Sequence, residues 1–238
     1  MRRMMAVCNK ELQAYFLSPT SYFAFAVYVL MTSLLFYSSF VYYQPSIVDY
    51  RLVLGDTLSM LLFVVPLLTM RLVAEEFRQG TDELLLTSPA RVTEIIFGKY
   101  LASLAILVVL ILCSLVYPFI MSFYGTLDMT TVWMSALGLF FLGGSMMAIG
   151  LFASTLSQHQ MVSAVAGFII LLVLWMLDSF AGNTGSALQQ WLDPFALTNR
   201  FDSFMKGVLS GPDILYYVTL SGVFLLLSIQ IVERKRWR

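Results

Sequence analysis

The stretch VWMSALGLFFLGGSMMAIGLFASTL, residues 132–156, contains no Asp, Glu, Lys or Arg and decides the fold. About 20 apolar helical residues cross the ~30 Å hydrocarbon core of a bilayer. Five other stretches are similarly long and apolar, and three of them also lack charged residues, so the sequence predicts six transmembrane helices. They are residues 21–43, 52–73, 100–124, 132–156, 161–180 and 214–232. We therefore predict an all-α polytopic membrane protein in which residues 1–238 form a single transmembrane domain.

The basic residues fall mostly on one side of this predicted membrane. Lys and Arg total 14, and only Arg51, Arg200 and Lys206 lie in loops on the second side, which leaves eleven on the first. Lys and Arg accumulate in cytoplasmic loops. We therefore expect a multi-pass protein of the bacterial cytoplasmic (inner) membrane with both termini in the cytoplasm.

The composition excludes several functional classes. Hydrophobic residues make up 59% of the chain and charged residues 12%, which leaves no room for a soluble catalytic domain. There is no Gly-x4-Gly-Lys-Ser/Thr motif for ATP and no Cys/His cluster for a metal. Ser145 and His159 would lie roughly 20 Å apart along one helix, too far for a protease pair. We expect no catalysis, no cofactor on this chain and no nucleic-acid partner.

Two carboxylates, Asp56 and Asp178, lie within predicted spans near their outer ends. Intramembrane acids often line a substrate path, so both are candidates for a translocation path. Asp56 is equally consistent with an exposed carboxylate at the interface. Ion-coupled carriers usually bury such groups at the midplane, which carries no charge here, so the pattern argues against ion coupling.

Residues 1–19 are predicted to form an amphipathic helix in the cytoplasmic interface. On a helical projection the apolar residues share one face and polar residues the other, and Ser18-Pro19 ends the helix. The alternative is a disordered basic leader. The apolar face comprises Met4, Met5, Cys8, Leu12, Tyr15 and Phe16, opposite Arg2, Arg3, Asn9, Lys10 and Gln13.

The loop of residues 74–99 is the most polar part of the chain. We expect the second span to continue past the membrane to Gly80, which caps it in the left-handed conformation. Thr81 then caps a short helix, residues 82–87, with Asp82 and Glu83 in its first turn. Ser88-Pro89 begins another helix that leads into the third span. Near the inner boundary, Arg71 is expected to snorkel or to pair with Glu75.

The short helix of residues 82–87 exposes Leu84, Leu85 and Leu86 to the cytoplasm. Three exposed leucines are costly in water, so we expect this surface to dock on a partner.

On the other side of the membrane, residues 181–213 place apolar side chains at helical spacing around Asp193-Pro194. We interpret them as a re-entrant pair of short helices between spans five and six.

These features together resemble the membrane-spanning permease of a type-two ABC exporter. The closer likeness is to gliding-motility-type and copper-nitrous-oxide-reductase-maturation-type permeases, and it covers essentially the whole chain. Its most specific part is Glu75-Glu76-x-Arg78-x-Gly80-Thr81-x-Glu83-Leu84-Leu85. Weaker parts are Lys10-Glu11-Leu12 with Ser18-Pro19, and Asp193-Pro194-Phe195 through Gly207.

The resemblance implies that this chain is half of a transporter. A coupling helix would insert into a groove on a separate ATPase subunit, which holds the ATP and Mg. The coupling residues it implies are Glu75, Glu76, Arg78, Gly80, Thr81, Asp82, Glu83, Leu84, Leu85, Leu86, Ser88 and Pro89. The implied partners are two ATP-binding subunits, a second permease chain (identical or similar), membrane lipid and an accessory envelope protein.

Three functions are compatible with the sequence. The first is a permease that exports an unidentified substrate of lipidic or amphipathic character. The second is a scaffold that uses the same ATPase to remodel an envelope partner without transport. The third is an ion-coupled carrier, which would move its substrate along a proton or sodium gradient without an ATPase.

Overall fold

The computed structural model describes residues 2–43, 50–80, 91–183, 197–198 and 200–236. Over these residues every regular element is a helix. In chain order they are α1 (Arg2–Leu17), α2 (Pro19–Tyr43), α3 (Tyr50–Thr69), α4 (Arg71–Gln79), α5 (Val92–Ser114), α6 (Val116–Met121), α7 (Met129–Leu156), α8 (Gln160–Asn183), α9 (Phe201–Met205) and α10 (Gly211–Arg236).

The six predicted spans are all present as helices long and apolar enough to cross a membrane. The predicted fold class is therefore confirmed. Two of the spans are interrupted: α3 and α4 form the second span with a break at Met70, and α5 and α6 form the third with a break at Leu115. The other four spans are α2, α7, α8 and α10.

The N-terminal helix ends where the sequence predicts. α1 stops at Leu17, Ser18 is not helical and Pro19 begins α2, because a residue before proline disfavours the α conformation. Part of the predicted lipid-facing side is covered by protein instead, since Cys8 and Tyr15 are buried while Phe16 is exposed. The placement of α1 in the membrane interface stays a prediction.

α7 is the centre of the bundle. It packs against α3, α4, α5, α8, α9 and α10, whereas α2, α8 and α10 expose most of their surface at the rim. Small residues permit this packing. A β-carbon at Gly143 would lie 2.7 Å from Leu107 Cδ1, and one at Gly138 would lie 2.7 Å from the Phe204 side chain.

Both ends of the chain lie at the same side of the bundle. α1 contacts the start of α5, and Lys235 near the end of α10 reaches the carbonyl of Thr155 at the end of α7, with an N–O distance of 3.5 Å. α7 and α8 are antiparallel neighbours joined by a short connection. We call this the junction side; it is the side predicted to be cytoplasmic.

On the opposite side, α9 packs its two phenylalanines, Phe201 and Phe204, against α7, and both are fully buried. Gly207 follows in the left-handed conformation (φ 75°) close to Thr131, where a side chain would be strained. α9 occupies the place of the second helix expected within residues 181–213. The first expected helix lies largely outside the described residues, and re-entry into the membrane stays a prediction.

The contact at Gly138 gives a test of this packing. Gly138→Ala would place a methyl group against Phe201 and Phe204, and we expect it to cost about 1–3 kcal/mol through overpacking. Gly222→Ala is the matched control, because no heavy atom lies within 4 Å of a β-carbon there. The measurement is the thermal unfolding midpoint in detergent. Equal midpoints for both variants would contradict the close packing of α9 on α7.

Candidate functional site: a charged junction around α4

The predicted end of the second span is confirmed. α4 stops at Gly80, which adopts the left-handed conformation (φ 66°) and donates its backbone N–H to the carbonyl of Glu76. Glycine adopts this conformation without steric cost. The loop that the sequence analysis singled out therefore starts at a fixed point on the junction side.

The other end of this loop differs from the prediction. We expected a helix from Pro89 to run into the third span, but Arg91 is extended (φ −77°, ψ 146°) and α5 begins at Val92. The Glu94 carboxylate accepts the backbone N–H of Arg91 at 3.2 Å, which satisfies one of the free donors at the start of a helix. The expectation that a helix passes unbroken from Pro89 was wrong because Glu94 sets the start.

Lys99, in the second turn of α5, is the most unusual residue of the junction side. Its side chain is 1% exposed, yet its ammonium group lies 2.7 Å from Glu11 Oε1 on α1 and 3.0 Å from Glu76 Oε1 on α4. It also donates to the carbonyl of Leu72 at 2.5 Å. We call Glu11, Glu76 and Lys99 the buried triad.

The triad satisfies the hydrogen-bonding capacity of the buried ammonium. A lysine has three N–H donors, and here two carboxylates and one backbone carbonyl accept them. A buried ion costs several kcal/mol in desolvation unless its geometry and its partners offset that cost. The triad therefore fixes α1, α4 and α5 at one point, because each helix contributes a group that the others need.

Two further contacts hold α1 in this position. Lys10 lies 3.5 Å from Glu76 Oε1, but its side chain is 65% exposed, so this pair is weak. Gly98, next to Lys99, has no side chain, and a β-carbon there would lie 2.9 Å from the carbonyl oxygen of Met4. The glycine thus allows the close approach of α1 and α5 that the triad requires.

Arg71 does not pair with Glu75, which was one of its two expected interactions. Its guanidinium lies over the ring of Tyr15 at 4.4 Å from the centroid and donates to the carbonyl of Ala14 and the hydroxyl of Thr20, each at 3.2 Å. The reason is that the end of α1 and the start of α2 supply two hydrogen-bond acceptors and an aromatic ring to its guanidinium. Burial raises the pKa of Tyr15, so its hydroxyl stays neutral and donates to the carbonyl of Leu68 at 2.8 Å.

Glu75 connects α4 to the start of α8. Its carboxylate accepts from Arg78 at 2.8 Å and from Gln79 at 2.5 Å on its own helix, and it also accepts from Gln160 of α8. Arg78 is exposed, so its ion pair alone contributes little. The contact with Gln160 is the one that joins two parts of the chain.

The C-terminal helix reaches α4 as well. The ammonium of Lys235 lies 3.6 Å from the ring centroid of Phe77, whose side chain is buried. A cation over an aromatic face is attracted by the ring quadrupole. α4 is therefore held by α1, α5, α8 and α10 through specific side chains, in addition to its packing on α7.

The remaining predicted site residues divide into two groups. Asp56 lies between α2 and α3, where the hydroxyl of Ser39 donates to its carboxylate at 2.9 Å, far along the second span from the junction. Asp178 belongs to α8, but its side chain lies outside the described residues. The residues Thr81, Asp82, Glu83, Leu84, Leu85, Leu86, Ser88 and Pro89 also lie outside them, so the predicted coupling helix stays a prediction.

A cavity of about 330 Å³ lies between α5, α7 and α10. Its walls are almost entirely apolar and include Phe97, Tyr100, Phe140, Phe141 and Tyr217. Among the described residues, no group of three or more His, Cys, Asp or Glu side chains is arranged to hold a metal.

Sequence reasoning missed three members of the junction: Glu11, Lys99 and Gln160. Lys99 was counted only as one of the basic residues that orient the chain. A signal was present for Glu11, since it lies three residues after Cys8 and four before Tyr15 and so shares their buried face. No local pattern indicated Gln160, because its partner is 85 positions away.

Comparison with known proteins agrees with this architecture. Residues 5–231 match the family model described as ABC-2 family transporter protein. A comparison with curated proteins finds no match. The matched region runs from within α1 to within α10 and contains the buried triad, Arg71, Glu75 and Gln160, but not Lys235.

The buried triad gives the second test. Lys99→Met removes the buried ammonium from the carboxylates of Glu11 and Glu76, whose side chains are only 13% and 15% exposed, and we expect a loss of about 3–5 kcal/mol in the free energy of unfolding. Lys10→Met is the matched control, because the same substitution removes an exposed partner of the same carboxylate and should cost below about 1 kcal/mol. Urea or thermal unfolding in detergent measures both. Losses of similar size would show that the triad does not fix the helices.

Proposed function

The chain belongs to the ABC-2 family of transporter proteins, and from that premise we propose that it transmits ATP-driven motion from separate ATPase subunits to its membrane spans. Family membership makes it a multi-pass permease subunit of an ABC transporter, one that associates with ATP-binding subunits. We further propose that it exports its substrate, lies in a bacterial inner membrane and resembles the gliding-motility and nitrous-oxide-reductase-maturation branch.

The observation that carries this proposal is the way both flanks of residues 81–90 are tied together. Gly80 ends α4 and Arg91 precedes α5, so the loop connects these two helices. Glu76 and Lys99, one from each helix, form an ion pair 3.0 Å long in a buried site. A partner that pushes the loop would therefore move both flanks as one unit.

α4 distributes that motion through the bundle. It continues the second span directly, and Glu75 joins it to α8 through Gln160. Lys99 joins it to α5, and the Lys99–Glu11 pair extends the connection to α1. We propose that the second and fifth spans move together when ATP binds, because α3–α4 and α8 share this contact and also pack on each other.

We propose that two copies, or this chain and a similar one, assemble through the second and fifth spans. Between Val162 and Val173 the exposed face of α8 carries the apolar side chains of Val162, Val165, Ile169 and Val173. On α3, Phe63 is exposed and packs on Phe168 of α8, which extends the same face. A substrate path between two such faces would be apolar and aromatic, which favours lipidic or amphipathic cargo.

The proposed docking of the loop is tested with Leu84→Glu. We expect the variant to reach the membrane but to lose its ATPase partner, because a carboxylate replaces an apolar docking residue. The chain is purified with its untagged neighbours in mild detergent, and co-purifying ATPase activity is measured. Leu156→Glu is the control: Leu156 is an exposed leucine on the junction side that lies outside the loop, and this variant should retain the partner.

Retention of the partner by Leu84→Glu would contradict the docking assignment.

A second measurement separates transport from scaffolding. In proteoliposomes that contain the purified complex, a permease links ATP hydrolysis to the movement of labelled lipid or amphiphile across the bilayer. Hydrolysis without movement of any such probe would favour the scaffold that activates an envelope partner.

A further inference from the structure

The second span contains an interruption whose hydrogen bonds are made by another helix. α3 ends at Thr69, Met70 forms a turn and α4 begins at Arg71. In a regular helix, Val73 would donate its backbone N–H to Thr69 and Leu72 would donate to Leu68. Here the N–H groups of Val73 and Ala74 donate to a side chain of α7, while Met70 itself keeps helical dihedral angles (φ −52°, ψ −32°).

The group that they meet is the hydroxyl of Ser154. Its oxygen accepts the backbone N–H groups of Val73 and Ala74, each at 3.0 Å, and it donates to the carbonyl of Met70 at 2.9 Å. A serine hydroxyl has one donor and two acceptor sites, so its full capacity is used on the interruption. A side chain inserted into the hydrogen-bond ladder in this way is a recognised cause of helix kinks.

The packing around Ser154 fixes it in place. Ser154 is fully buried, and one turn earlier Gly150 allows α7 to approach α3 so closely that a β-carbon would collide with the Thr69 hydroxyl. Pro66, just upstream in α3, lacks the N–H that would strengthen the preceding turn. The weakest part of the second span is therefore held by the most buried span of the bundle.

We propose that Ser154 is a positioning residue. Its hydroxyl sets the angle between α3 and α4 and is the point about which α4 pivots. This inference rests on the proposed function, in which α4 carries motion from the loop to the second span. The three directional hydrogen bonds keep the interruption open, so α4 pivots without unfolding α3. Without the hydroxyl, the freed N–H and carbonyl groups of residues 69–74 pair with each other, and the span becomes a more continuous helix.

Ser154→Ala tests the proposal, and Ser145→Ala is its matched control. Both serines lie on α7 and are fully buried, but the Ser145 hydroxyl donates only to Leu142 of its own helix, at 2.7 Å. Spin labels at Gln79→Cys and Leu156→Cys, in a background with Cys8→Ser and Cys113→Ser, report the distance between the ends of α4 and α7. A change of about 20° in the angle between α3 and α4 would shift the end of α4, ~13 Å long, by about 4 Å.

We expect this shift in the resting distance for Ser154→Ala and no shift for Ser145→Ala. An unchanged distance in Ser154→Ala, or the same shift in both variants, would overturn the positioning role. With the co-purified ATPase, ATP and vanadate should change the distance in the parent and change it at least about threefold less in Ser154→Ala. A resting shift confined to Ser154→Ala, with no nucleotide response in the parent, supports the positioning role and rejects the proposed function.

Discussion

The buried ammonium of Lys99 is the constraint on which the arrangement of the junction side depends. A lysine withdrawn from water needs opposite charges and hydrogen-bond acceptors at short range, and no residue near it in sequence supplies them. Glu11 comes from α1 and Glu76 from α4, so these two helices must meet the start of α5 at one depth. The close approach at Gly98 and the contact of Arg71 with Tyr15 follow from the same meeting.

The two sides of α4 are held by different chemistry, and this difference has a mechanical consequence. Toward α1 and α5 it is held by charge, where breaking one pair leaves ions exposed to a low-dielectric surrounding. Toward α7 it is held by the neutral hydroxyl of Ser154, which exchanges hydrogen bonds at small cost. The ion pairs with α1 and α5 hold α4 rigidly, whereas its hydrogen bonds to Ser154 can exchange. This combination suits a helix that transmits movement from the loop into the second span.

Local signals predicted the elements well because their causes are local. Gly80 ends α4 through its own backbone freedom, Pro19 starts α2 by restricting Ser18, and the apolar length of each span requires a helix. The start of α5 was placed too early because Glu94, rather than Pro89, satisfies the backbone at its first turn. At the site, Glu75 and Glu76 were identified from their motif, but their partners Lys99, Glu11 and Gln160 were not.

The sequence by itself determined six spanning helices and the family to which the chain belongs, since each depends on hydrophobic length or motif along the chain. Only the tertiary structure decided that Lys99 is an interior residue and that Ser154 completes the hydrogen bonds of another helix. Lys99 depends on Leu72 and Glu11, which are 27 and 88 positions away, and Ser154 bonds to Val73, which is 81 positions away. A lysine or serine has the same local pattern whether it faces water or a neighbouring helix, so packing alone distinguishes the two.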